Sequence, residues 1–134
     1  MKLIFCTDNK RGMMFNKRRQ SQDRILRARM LELAKCSRLL MSPYSAKQFS
    51  PEDPIISDPN FLDIAGENDY CFIEDADATL DNCTELVIYL WNRDYPADKF
   101  LSFSPLDDGF VLASEEDFAG SSHEKITEKI YVKG

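Results

Sequence analysis

The sequence predicts an α/β fold, a single mixed β-sheet with flanking helices, in one domain spanning residues 1–134. Three observations lead there. Strand-like and helix-like segments alternate through the first half, the last third is strand-rich, and a hydrophobic content of 43% is ordinary for a globular protein.

Residues 1–7 read as a buried strand closed by the turn-forming pair Asp8-Asn9. Residues 12–22 follow as a loop carrying Lys17, Arg18 and Arg19. Ser21 suits a helix N-cap, and Asp23 falls in the first turn, where a carboxylate complements the helix dipole. A helix to about Lys35 places Ile25, Leu26, Met30, Leu33 and Ala34 near one face, with Arg24, Arg27 and Lys35 on another. Residues 38–41 form a short strand, and 45–49 a turn of helix. Ile55-Ile56, bracketed by Pro51, Pro54 and Pro59, suggests an edge strand. Residues 60–65 read as a short helix stopped by Gly66. Strands are expected at 70–73, 85–91, 110–112 and 126–132, with turns at Asp107-Asp108-Gly109 and Gly120-Ser121-Ser122.

The longest apolar runs have about six residues, against the roughly 20 that cross a bilayer, and the N-terminus lacks the apolar core of a signal peptide. Cys6, Cys36, Cys71 and Cys83 form no C-x-x-C pair, so reduced, mostly buried thiols in a cytoplasmic protein are expected. A structural metal is not expected, because His123 is the only histidine. Charge is divided unevenly: residues 1–48 carry twelve Lys/Arg against three Asp/Glu, and residues 49–134 carry five against twenty, within a net −6. Either the halves neutralise one another on folding, or the basic half offers a surface for phosphate, as in a nucleotide or RNA.

The order of elements, with these residues, resembles dihydrofolate reductase, trimmed of one or more middle strands. In that family a first strand leads into a mobile loop, then a helix bearing the substrate carboxylate, then a second strand. The matching pieces are residues 3–7, the loop 11–22, Asp23, and Arg38-Leu39-Leu40-Met41-Ser42-Pro43. Glu85-Leu86-Val87-Ile88-Tyr89-Leu90 looks like the strand before the final hairpin, and 94–100 is similar to the acidic segment ending D-x-x-F. Ser121-Ser122-His123-Glu124 and Glu128-Lys129-Ile130-Tyr131 are similar to the last turn and strand. The resemblance implies that fold, a cleft beside the loop, and Asp23 as the carboxylate meeting the ligand. Its ordinary members use NADPH, and here the chain departs. Where a glycine pair admits the pyrophosphate, Tyr70-Cys71-Phe72-Ile73 runs into Glu74-Asp75, whose charges repel it. The basic dipeptide that holds the cofactor phosphates is replaced by Ser42-Pro43-Tyr44. No cofactor is therefore expected. The stretch from Gly12 to Asp23, G-M-x-F-N-x-R-R-Q-S-x-D, also resembles short bacterial chains that carry the name ribonuclease Z. That enzyme is a two-zinc hydrolase with an H-x-H-x-D-H motif, which one histidine cannot supply.

Arg18, Arg19, Gln20, Ser21, Asp23 and Arg24 are the densest polar run and the candidate ligand-binding segment. Asp23 either meets a ligand or supplies a proton, or it caps its helix and pairs with Arg19 or Arg27. His123 is the second catalytic candidate. A triad with its sequence neighbours Ser122 and Glu124 is disfavoured because adjacent side chains diverge, whereas a hydrogen bond from His123 to the 16–23 loop is compatible with the fold. Glu74 and Asp75 either border the ligand site or meet Arg18 and Arg19 across the vacated cofactor groove as an ion-pair network. Tyr44, Tyr70, Trp91, Tyr95 and Phe100 are expected mostly in the core, and no RNA-binding aromatic motif is present. The leading expectation is a small-ligand binding module, for a nucleotide or phosphorylated metabolite, without NADPH. The alternatives are a divergent reductase, a metal-independent RNA-processing protein, or a protein-interaction domain.

Overall fold

Five parallel strands form the middle of the molecule. The computed structural model describes all of residues 1–134. Its main sheet contains β1 (Lys2–Thr7), β4 (Leu39–Met41), β5 (Ile55–Ser57), β6 (Tyr70–Phe72), β7 (Glu85–Leu90), β9 (Phe110–Phe118) and β10 (Ile126–Lys133). Their order across the sheet is β5-β4-β6-β1-β7-β10-β9. The pairs from β5 to β7 are parallel, and β10 runs antiparallel to both β7 and β9. The parallel strands read as unbroken apolar runs because both faces are covered. Leu3, Phe5, Leu40, Cys71 and Leu86 pack on one side, and Ile4, Cys6, Leu39, Phe72 and Val87 on the other.

The helix α1 (Arg24–Leu33) covers the second face with Leu26 and Met30, which are buried. It begins one residue after Asp23, not after Ser21. Asp23 is itself the N-cap, and its carboxylate accepts from the backbone N–H of Ile25 and Leu26. Ala34 caps the other end, so the helix is shorter than the expected run to Lys35, and Ile25 is exposed. A short α2 (Pro43–Ala46) starts earlier than expected, since Ser42 caps it and proline favours a first helical position. The α3 helix (Phe61–Ile64) and the edge strand β5 stand where the sequence puts them.

The larger correction concerns 12–22. Instead of an open loop, β2 (Gly12–Phe15) and β3 (Arg18–Arg19) form a hairpin, which joins β8 (Lys99–Phe100) in a separate three-stranded sheet. The turn is Asn16-Lys17, both with positive φ (52° and 61°), the signature of a two-residue type I′ turn. Gly12 lets this hairpin lie close, because a Cβ there would sit 2.6 Å from the Ala97 methyl and 2.6 Å from Gln20 Nε2. β8 has no counterpart among the strands expected from the sequence, and β9 is nine residues long against an expected three.

Three arginines of the basic half pair with carboxylates of the acidic half. Arg19 pairs with Glu74, Arg29 with Glu116 and Glu128, and Arg38 with Asp69. All four cysteines are free, with only Cys36 exposed. No helix is long and apolar enough to cross a membrane.

Candidate functional site

The parallel strands β1, β4 and β6 deliver polar residues at their carboxyl ends, the usual position of a ligand crevice in an open α/β sheet. Asp8 follows β1, Ser42 follows β4, Glu74 lies two residues beyond β6, and Trp91 follows β7. The hairpin folds over this edge. Asp8, itself buried, holds it there by accepting from the N–H of Gly12 (2.7 Å), Lys10 (2.9 Å) and Tyr95 (3.2 Å) and from Gln20 Nε2 (3.0 Å).

Asp23 is the second anchor. Its Oδ1 accepts from the N–H of Ile25 (2.9 Å), Leu26 (3.1 Å) and Ser121 (3.0 Å). Its Oδ2 accepts from the Ser122 N–H (2.9 Å), the Ser122 hydroxyl (3.2 Å) and His123 Nδ1 (3.0 Å). Burial alone would raise its pKa, but the N–H groups of Ser122 and Ser121, then His123 and the Leu26 N–H, outweigh that and hold the carboxyl far below the usual range. Gly120 is required beside it, since a Cβ there would strike the carboxylate and stand 2.9 Å from Ile126 Cδ1.

An ionised carboxylate only accepts, so Nδ1 of His123 carries the proton and Nε2 of the neutral ring is an acceptor. Two hydroxyls converge on that Nε2: Ser21 Oγ at 3.1 Å and Tyr95 Oη at 3.0 Å. His123 is 4% exposed, and its imidazole stacks on Trp91, ring centroids 4.5 Å apart. The expected link from His123 to the 16–23 loop is therefore present through Ser21 and Asp23. Asp23 does cap its helix, but the side chain it pairs with is His123, not Arg19 or Arg27.

Arg18 and Arg19 part company. Arg19 turns inward, its Nε 3.1 Å from Glu74 Oε2, its guanidinium 4.4 Å from the Tyr44 ring centre and donating to the Tyr44 carbonyl. Burial raises the Glu74 pKa, and the pairing with Arg19 partly offsets this. Gln48 Nε2 donates to the same carboxylate at 3.0 Å. Asp75 does not meet Arg18; it accepts from the Ser42 hydroxyl at 2.8 Å. Of the expected four-residue network, the structure contains one pair.

Arg18 is exposed and has no carboxylate partner. With Phe15, Asn16, Arg19, Gln20, Tyr95 and Pro96 it lines an open cavity of about 570 Å³. Gln20 Oε1, at this cavity, is buried without a hydrogen-bond partner. Asp75 lines a separate cavity with Lys17, Tyr44 and Lys99, and Arg24 lies on the exposed start of α1, in neither. Of the five aromatics expected in the core, only Tyr70 and Trp91 are buried. Tyr95, at the cavity and on His123, was missed as a functional residue; its one sequence signal was its place beside Asp94 and Pro96 in a turn-rich segment. No group of three or more His, Cys, Asp and Glu is placed to hold a metal ion. No glycine pair follows β6, and the buried Glu74 lies two residues beyond that strand.

No protein-family model matches the sequence, and no curated protein matches it. Among solved structures, the chain is similar to the dihydrofolate reductase of Enterococcus faecalis, determined in complex with NADP(H) and RAB-propyl. The TM-score is 0.70 at 6% identity, covering 99% of this chain and 95% of that one. The fold is that of dihydrofolate reductase.

Proposed function

We propose that the chain is a small-molecule binding module that uses this fold without NADPH, and that its ligand carries negative charge. The observation that supports this reading is Arg18, an unpaired guanidinium at the rim of the cavity beside Tyr95 and Gln20. A neighbouring arginine, Arg19, has its charge consumed internally, so the two are not equivalent surface cations. An anionic group on the ligand would bond to Arg18. Loss of the glycine pair and burial of Glu74 argue against the reductase alternative.

Thermal shift and Trp91 fluorescence with inorganic phosphate, pyrophosphate, ATP and NADPH test the reading. Trp91 stacks on His123, which bonds to Tyr95 in the cavity wall, so the indole should report occupancy. A ligand at a hundred times its Kd adds about 2.7 kcal/mol of stability. Stabilisation by one of the three phosphates that disappears in Arg18→Gln supports the proposal. Saturable NADPH binding at micromolar concentration instead restores a reductase with Asp23 as proton donor.

A further inference from the structure

Six hydrogen bonds fix the Asp23 carboxylate, and the carboxylate fixes one imidazole. That is more restraint than capping a ten-residue helix needs. The restraint continues outward: Nδ1 of His123 faces Asp23 at 3.0 Å, and Nε2 faces the Ser21 hydroxyl at 3.1 Å. Acid, imidazole and hydroxyl thus stand in the order that activates a serine, an arrangement recognised by geometry and not by chain position.

We propose that Ser21 is a nucleophile for acyl transfer, with His123 as its general base and Asp23 as the positioning residue, acting on small anionic esters held by Arg18. The proposal rests on the anion-binding reading of the neighbouring Arg18 cavity, which meets this array through Tyr95, and adds a reaction to it. Ser21 is half-buried, whereas His123 is buried and stacks on Trp91. The backbone N–H groups of Ser21 and Gln22 donate to no protein acceptor, so both are free to bond an oxyanion next to the nucleophile.

In the first step Ser21 Oγ bonds to the acyl carbon as its proton passes to His123 Nε2, and the carbonyl π electrons move onto oxygen. Nδ1–H stays on the ring, held by the ionised Asp23, which takes no proton. The oxyanion then collapses, the C–O bond to the alcohol breaks, and the leaving alkoxide takes the proton from Nε2. In the second step water bonds to the acyl carbon and gives a proton to Nε2. The Ser21 C–O bond breaks, Oγ recovers that proton, and a carboxylic acid leaves. The Tyr95 hydroxyl, 3.0 Å from Nε2, shares that acceptor with Ser21 in the resting protein.

The test is intact-mass analysis after incubation with a fluorophosphonate, together with stopped-flow hydrolysis of mono-4-nitrophenyl succinate and 4-nitrophenyl acetate. Expected are one phosphonyl group per chain with loss of fluoride, mapped to Ser21, a burst of nitrophenol, and preference for the succinate ester. Ser21→Ala, checked for folding by circular dichroism, should be unlabelled. His123→Gln should label about a hundredfold more slowly or worse. Asp23→Asn should lower kcat while leaving KM, a split that simple loss of helix capping would not give. Arg18→Gln should remove the preference for the anionic ester. No adduct, or an adduct on Tyr95 or elsewhere, overturns the assignment. Stabilisation by succinate without an adduct does so while leaving the binding reading intact, and a Ser21 adduct with no anionic preference keeps the nucleophile and sinks the anion site.

Discussion

Removing Arg19 is the sharpest test of how the crevice is closed. Its guanidinium meets a Glu74 carboxylate whose side chain is 8% exposed, while its own is 18% exposed. In Arg19→Gln the carboxylate stays buried with Gln48 and without a cation. Stranding one member of a buried pair costs about 3 kcal/mol. Loss of the contact with the Tyr44 ring adds about 0.5 kcal/mol. For a chain of this length that lowers Tm by about 10 °C. Glu74 can escape by taking up a proton, at about 1.4 kcal/mol for each pH unit between its pKa and the buffer. Burial already raises that pKa, and removal of Arg19 raises it further. A raised folded pKa means stability is lost as pH climbs, so the deficit should be smaller at pH 5 than at pH 8. Arg18→Gln, one residue away with no carboxylate partner, should change Tm by no more than about 2 °C. The assay is thermal melting by circular dichroism at both pH values. An Arg19→Gln melt within 2 °C of wild type, or a deficit equal at pH 5 and pH 8, would refute the reasoning.

Other outcomes follow from single contacts. Asp8, Asp23 and Asp69 have lowered pKa values, so their contribution is complete above the ordinary carboxylate range near pH 4 and is lost as pH falls below it. On the alkaline side, burial pushes Cys71 up to about 11 and Tyr70 up to about 12, so stability should hold to about pH 9 and fall beyond it; Tm against pH checks both limbs. Lys17→Gly, at φ 61°, relieves left-handed strain and should stabilise the hairpin by about 0.5 kcal/mol, read from the urea midpoint. Gly120→Ala drives a methyl against the Asp23 carboxylate and should destabilise by about 1–3 kcal/mol and quench or shift Trp91 emission through His123.

The parallel strands were legible because burial on both faces leaves uninterrupted apolar runs, as in Leu86-Val87-Ile88-Tyr89. The hairpin was not, because Asn-Lys is a weak turn signal beside Asn-Gly and four of its residues are basic or polar. Asp23 and His123 were visible as candidates, but their pairing spans 100 residues and no local pattern records it. Arg18 and Arg19 are indistinguishable by composition. Strand alternation turns one into the crevice and the other to its rim, and that parity is invisible in a segment whose composition reads as a loop.

The long reach of the Asp23 carboxylate also shapes how the protein is made. During synthesis Asp23 emerges early and can cap α1 with its own neighbours, but the N–H groups of Ser121 and Ser122 arrive 98 and 99 residues later. β1 likewise waits for β6 and β7 before it has a partner on either side. Contacts so distant along the chain make folding slow and keep the apolar strands open while the ribosome finishes. The histidine-centred array thus exists only in the completed chain, and a product cut short before Gly120 would carry the serine and the carboxylate without the base between them.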